Sequence, residues 1–274
     1  MYFKIPWPGS NMLGLIFLPD KGIVESGDTG KEGLSLQEAI RLKNVHYETE
    51  DIHILKGITG VIREGEITTF VGPSGAGKTT LLKVLNGLLS PTSGEIVING
   101  KEINQYEPTE LRMLVGIALQ SAPMVDGDVF DNLSLPLRLQ NGSLSEEEAK
   151  EILNVVGLGE DHLHQNIKDL SGGQRQKVSI ARTLVNRPKV LLLDEITASL
   201  DQVSQKEINE LIQKVSKKYG TTIVWITHNL KQALTVGTYT WFLMNGQLLE
   251  AGKSNEIENS RNEKVQAFLR GDLG

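Results

Sequence analysis

Cysteine is absent from the 274 residues, which excludes disulfides, thiolate metal sites, iron–sulfur clusters and thiol nucleophiles together. Positive charge is in deficit. Against 34 Asp+Glu stand 28 Lys+Arg, a formal net charge of −6, which argues against general affinity for a nucleic-acid backbone or an anionic lipid surface. No run is apolar enough to span a bilayer. The uncharged stretch from Gln232 to Leu249 holds two Gln, three Thr, two Gly, a Tyr and an Asn, too polar for a membrane core. Near the amino terminus, Ile5 to Leu18 is also uncharged. Pro6, Pro8 and Pro19, a single preceding Lys4 and the lack of a small-residue cleavage site argue against a signal peptide. No repeat recurs at a fixed period. The expectation is a cytoplasmic chain in a reducing compartment, long enough to bury roughly three quarters of its unfolded surface.

What remains is an α/β pattern. Residues 1–37 are rich in Gly and Pro, lack a sustained period and are set aside as an N-terminal extension. Ile40, Leu42 and Val45 mark a half-buried strand, His53 to Ile62 a second, and Thr68 to Val71 a short apolar third that enters a glycine-rich turn. Leucines 81, 82, 85, 88 and 89 predict a helix from Lys78 to Leu89. Asn99-Gly100 and Asn245-Gly246 lie between strand-like runs and predict type I′ hairpins. Residues 127–169 read as mostly helical, with a capping box at Ser145 to Glu148. Apolar strands return at Val190 to Leu193, Ile223 to Ile226 and Tyr239 to Leu243. They alternate with helical stretches at Gly173 to Asn186, Gln202 to Tyr219 and Asn229 to Thr235. Continuous apolar strands separated by helices predict a parallel sheet covered on both faces.

Gly72-Pro73-Ser74-Gly75-Ala76-Gly77-Lys78-Thr79 fits the phosphate-loop pattern G-x-x-x-x-G-K-[ST], with a strand before it and a helix after it. Glycines let successive N–H groups face phosphates at the positive end of the helix dipole. Lys78 is expected on the β- and γ-phosphates, and the Thr79 hydroxyl on Mg²⁺. Asp28-Thr-Gly-Lys31 imitates such a loop but has Glu25 where the first glycine belongs and Glu32 in place of Ser/Thr. The strand Val190 to Leu193 ends in Asp194, placed to reach the metal, and Glu195, placed to orient or deprotonate an attacking water. Leu170-Ser171-Gly172-Gly173-Gln174 opens a helix and forms a second anion cradle. One phosphate loop needs no second cradle unless another molecule completes the site. His162 and His164 do not share a helix face and read as solvated. Asp126 to Asp131 looks like part of a calcium loop, but Phe130 stands where an oxygen is required, so no metal beyond a nucleotide's Mg²⁺ is expected.

With these motifs in this order, the chain resembles the ATP-binding subunit of an ABC transporter over about residues 38–250. The resemblance adds Gln120, after the strand Leu114 to Leu119, as the Q-loop residue touching the metal, and Asp201 in Ser199-Leu-Asp201 as the D-loop. It also adds His228 as the switch histidine, Tyr47 as the aromatic that stacks on adenine, and Thr80 beside the phosphates. It implies a P-loop NTPase fold with a parallel core sheet, an antiparallel β subdomain and an inserted helical subdomain at about 121–169. The ATPase domain would cover 38–252 and a helical tail 253–274.

The resemblance further implies ATP and Mg²⁺ as ligands. Two subunits sandwich the nucleotide, and integral membrane permease subunits carry the cargo. The chain would sit on the inner face of the cell membrane and bind no nucleic acid. Two departures stand out: Ile196 in place of the proline that usually follows the acidic pair, and the segment Asp126 to Asn132. Both resemble a bacterial iron or metal-stress export branch and plant half-subunits linked to UDP-glucose transport, which favours export. General similarity to phosphate-import ATPases keeps import open as an alternative. A soluble ABC-type ATPase acting on nucleic acid or ribosomes fits less well, because no second nucleotide domain or long coiled coil is present. A small-molecule kinase leaves residues 170–174 without a role.

Overall fold

The structure, a computed structural model, describes residues 37–121 and 123–272. The Asp28 to Lys31 imitation and nearly all of the N-terminal extension lie outside the described residues. Two sheets share the fold. The smaller is antiparallel, with order β2-β1-β4-β5, built from β1 (Glu38–Glu48), β2 (His53–Arg63), β4 (Ser93–Ile98) and β5 (Lys101–Glu102). The larger has order β10-β9-β3-β8-β7-β6. Its strands β3 (Ile67–Val71), β6 (Val115–Ala118), β7 (Val190–Asp194), β8 (Thr222–Ile226) and β9 (Tyr239–Met244) run parallel, and β10 (Gln247–Lys253) closes the edge antiparallel.

Period-two alternation splits the core. Leu191, Leu193, Ile223 and Trp225 face one side of the large sheet. There they meet α3 (Val129–Arg138), α4 (Glu146–Val155), α5 (Gly172–Leu184) and α6 (Gln202–Tyr219). Val190, Leu192, Val224 and Ile226 face the other side, toward α1 (Lys78–Leu85) and the antiparallel sheet. Both faces are buried, which is why these strands read as continuous apolar runs. The two sheets meet where Trp241 presses on Gly60, at which a Cβ would fall 2.7 Å from the indole. In β1 the buried positions step from Leu42 to Val45 because Asn44 takes φ 49° in a bulge. Both Asn-Gly pairs form the expected hairpins, with positive φ at Asn99, Gly100, Asn245 and Gly246.

One helix is shorter than its leucines suggest. α1 stops at Leu85, because Gly87 adopts φ 69° and the Leu88 N–H returns to the Lys83 carbonyl at 2.9 Å, a glycine-terminated end. Asn86 anchors that end by donating to the Val115 carbonyl. Leu88 is thereby left exposed rather than on the helix's apolar face. Among the described residues the remaining α-helices are α2 (Pro108–Leu114), which precedes β6, α7 (Leu230–Val236), and α8 (Ser254–Glu258) and α9 (Glu263–Leu269) in the tail.

Candidate functional site

Between the end of β3 and the start of α1 the chain must reverse within residues 72–77. At Gly72 φ is +141°, and a Cβ there would fall 1.9 Å from the Leu243 carbonyl oxygen, so only glycine passes. Gly77, at φ 92°, caps α1 and lies against Leu55. The loop opens on a cleft of about 390 Å³ lined by Ile54, residues 74–80, Glu195 and His228.

Lys78 is buried and folds back on its own loop, donating to the carbonyls of Gly72 at 2.8 Å and Pro73 at 2.9 Å. Burial pushes its ammonium below the ordinary value, opposed by the charges of Glu195 and Asp194. Next along the chain, the Thr79 hydroxyl donates to Asp194 Oδ1 at 3.1 Å, joining the start of α1 to the end of β7. Burial raises the Asp194 carboxyl above its usual range. The Thr79 hydrogen bond opposes that rise and the neighbouring Glu195 charge adds to it. A hydroxyl and a carboxylate side by side form a hard oxygen donor set of the kind Mg²⁺ takes. The glycine loop at a helix N-terminus is equally suited to phosphate.

Glu195 is one of the few non-glycine residues with positive φ, 51°. Its N–H still bonds the Ile226 carbonyl at 3.0 Å, so the turn occurs immediately after the β7–β8 ladder. His228 Nε2 stands 2.5 Å from Glu195 Oε1. The pair borders both the phosphate-loop cleft and a second cavity of about 300 Å³ lined by Thr197, Ala198, Gln205, Thr227 and Asn229.

A buried polar network that the motif reading missed holds His228 in place. Thr227 Oγ1 donates to Gln232 Oε1 at 2.5 Å and accepts from the Asn229 N–H at 3.1 Å. Gln232 Nε2 donates to Asn209 Oδ1 at 2.7 Å and to Thr197 Oγ1 at 3.1 Å, tying the histidine loop to the segment after Glu195. The sequence signal was the spacing Asn229-x-x-Gln232, a helix-start pattern in which Asn229 Oδ1 accepts the Gln232 N–H.

The other motif residues stand apart from the cleft. Tyr47 is half-buried opposite Leu55, and Ile54, not Tyr47, is in the cleft wall. Gln120 is exposed after β6 and is not among the lining residues. Ser171 and Gly172 are exposed at the start of α5, while Leu170 is buried beneath them. Gly173 is buried against Ser204, whose hydroxyl would be 2.7 Å from a Cβ. Asp201 caps α6, accepting from the N–H groups of Val203 at 3.0 Å and Ser204 at 3.1 Å and from the Ser204 hydroxyl at 2.7 Å. His162, expected in solvent, is instead half-buried and bonded to Gln174. His164 is exposed but paired with Asp128 at 3.0 Å.

Residues 55–198, from β2 through the acidic strand end, match the family model described as ABC transporter. The chain belongs to the ABC transporter family. It is therefore an ATP-binding, ATP-hydrolysing transport subunit that uses Mg²⁺ with its nucleotide. The ABC transporter ATP-binding protein YjkB of Bacillus subtilis is 41% identical over 230 residues, covering 84% of this chain and 91% of that protein. Among solved structures, CbiO1 of Clostridium perfringens, part of the transporter complex CbiONQ, superposes with TM-score 0.75 at 30% identity over 85% of this chain and 95% of its own. The cassette MJ0796, solved as a dimer in a post-hydrolysis state with ADP and Pi, gives TM-score 0.69 at 33% identity over 78% of this chain and 98% of that one. Among the described residues, no helix is long and apolar enough to cross a membrane.

Proposed function

We propose that two copies of this chain close around two ATP molecules, hydrolyse them and reopen, driving separate membrane permease subunits. One observation carries the reading. The chain has two glycine-rich helix starts suited to anions, yet no residue of 170–174 lines the phosphate-loop cleft, and Ser171 and Gly172 face solvent. Each cradle is half a site, completed by its counterpart on a second copy.

In this reading, residues 72–80 bind the phosphates, and Lys78 exchanges the carbonyls of Gly72 and Pro73 for phosphate oxygens. Tyr47 stacks on adenine. Thr79, Asp194 and Gln120 hold Mg²⁺, which supplies charge neutralisation on the phosphate oxygens when bound. Glu195 accepts the proton of the attacking water, and His228 steers that carboxylate and meets the γ-phosphate. Ser171, Gly172, Gly173 and Gln174 face the phosphate bound by the other copy, over buried Leu170, and Asp201 lies at that interface. The ATPase domain spans 38–252 with its helical part at about 121–169, flanked by the 1–37 extension and the 253–274 tail. The subunit docks on the cytoplasmic face of the membrane.

Export of a metal ion or other small solute is the direction we favour. It rests on Ile196 after the acidic pair and on the Asp126 to Asn132 segment. In the structure Ile196 is buried in the core and Asp128 and Asp131 cap α3 reciprocally. The test is a pull-down of tagged Glu195→Gln protein with ATP from detergent-solubilised membranes of its host. Recovery of a multi-span protein supports the reading. Recovery of ribosomes or nucleic acid instead would overturn the coupling to a membrane.

A further inference from the structure

Gln174 has both ends of its amide committed. Its Oε1 accepts the Ser171 N–H at 2.8 Å while Ser171 Oγ accepts the Gln174 N–H at 3.2 Å, the reciprocal cap that opens α5. With the oxygen spent there, the NH₂ end faces His162, Nε2 to Nε2 at 3.1 Å. An amide NH₂ only donates, so His162 Nε2 is the bare, accepting nitrogen. The imidazole proton then sits on Nδ1, which faces two acceptors, Asp161 Oδ1 at 3.2 Å and the Gly159 carbonyl at 3.3 Å. Every contact selects the same neutral tautomer. The ring is held at that place by the buried Leu163 that follows it, part of the core beneath α5.

We propose that neutral His162 is a positioning residue for the Leu170 to Gln174 cradle, and that its protonation weakens closure of the two copies. The inference rests on the two-copy reading above. A proton on Nε2 sets N–H against NH₂. Gln174 must then turn its oxygen to His162, which takes that oxygen from the Ser171 N–H and undoes the cap at the residue assigned to the opposite phosphate. The charged groups around the ring are few. Asp161, on the same turn, faces Nδ1 at 3.2 Å, and Glu160 is turned to Asn154 of α4 at 3.5 Å. On α5, Arg175 is bound to the Leu170 carbonyl, and Lys177 is paired with Glu207 of α6 at 2.8 Å.

The test uses Glu195→Gln protein and reads Mg·ATP-dependent dimerisation by sedimentation between about pH 5 and 8, the range in which histidine changes charge. Dimer affinity should fall by about tenfold more toward the acid end than in the same protein carrying His162→Gln, whose side-chain oxygen accepts at every pH. His162→Leu, with no acceptor, should dimerise about tenfold more weakly throughout, the scale of one unsatisfied amide. Thermal melts check that each variant is folded. Any pH dependence common to the two proteins arises outside position 162. Identical pH profiles with His and Gln at position 162 would overturn the inference. If no variant dimerises at any pH, the two-copy reading fails, and the monomer still decides this point. The Gln174 side-chain amide resonances should move as His162 titrates, and resonances that stay fixed contradict the coupling.

Discussion

His228 Nε2 lies 2.5 Å from Glu195 Oε1, although the two residues come from different loops following neighbouring parallel strands, β8 and β7. Glu195 reaches that position only by adopting φ 51° directly after its strand, a conformation that costs a side-chain-bearing residue energy and is held by its surroundings. Here the surroundings are the Glu195 N–H bond to Ile226 and the Thr197–Gln232–Thr227 network.

The first consequence concerns Glu195 itself. Glu195→Gln keeps the shape and removes the proposed base, so ATP binding should persist while turnover falls by about 10²–10⁴-fold, the usual contribution of a general base. Nucleotide binding and single-turnover hydrolysis measured on the same preparation check this. Hydrolysis at the wild-type rate would remove Glu195 from the role of base.

Gln232 should matter without touching nucleotide. Gln232→Leu leaves Thr197, Thr227 and Asn209 short of a partner in a buried site. The expected cost is about 1–3 kcal/mol of stability, read from denaturant midpoints. Because the network holds the His228 loop, kcat should fall while ATP affinity changes little. An unchanged kcat in a folded, destabilised variant would reduce the network to a packing role.

Asp194 sets function against stability. Burial raises its carboxyl, so the nucleotide-free fold is favoured below the unfolded value of 3.8 and loses that advantage as pH rises through the folded value. At neutral pH the carboxylate is a cost, and Asp194→Asn should raise the melting temperature of the nucleotide-free protein. The same change removes the carboxylate proposed to hold Mg²⁺, so Mg·ATP should raise the melting temperature by less than it does in the wild type. A variant that melts lower than wild type without nucleotide contradicts the sign.

Asp201 behaves in the opposite sense. The Ser204 hydroxyl, then the Ser204 N–H, hold its carboxyl below 3.8, so its capping contribution is present above that value and is lost as pH falls through the folded value. Asp201→Ala should lower the melting temperature at neutral pH, and the gap from wild type should close in acid. Asp201→Asn retains an accepting oxygen and should recover part of the loss. A gap that is constant with pH would show that charge has no share in the cap.

These cases mark what the sequence discloses. The alternation of Leu191, Leu193 with Val190, Leu192, the glycines of 72–77 and both Asn-Gly hairpins are local patterns, and local patterns survive folding unchanged. The early end of α1 was hidden because Leu88 and Leu89 kept the helical period. Gly87, in the middle of that run, is the local signal for the stop. The Gln232 network and the His162–Gln174 contact join residues from separate elements. The Asn229-x-x-Gln232 spacing marks a helix start but not the partners across the fold, and a lone polar residue on a short helix carries no mark of its partner. Motif order marks two candidate cradles, but only the fold separates residues 170–174 from the cleft lining.

The most direct measurement of that separation mixes two inactive chains. Lys78→Ala disables the phosphate loop, and Ser171→Arg disables the second cradle. If each cradle serves the other copy's nucleotide, neither variant dimerises with ATP or hydrolyses it alone. A mixture of the two then forms a heterodimer with one dead site and one intact site, and ATP-dependent association and turnover reappear. If both cradles served the nucleotide of their own chain, every site in the mixture would be broken and activity would stay absent.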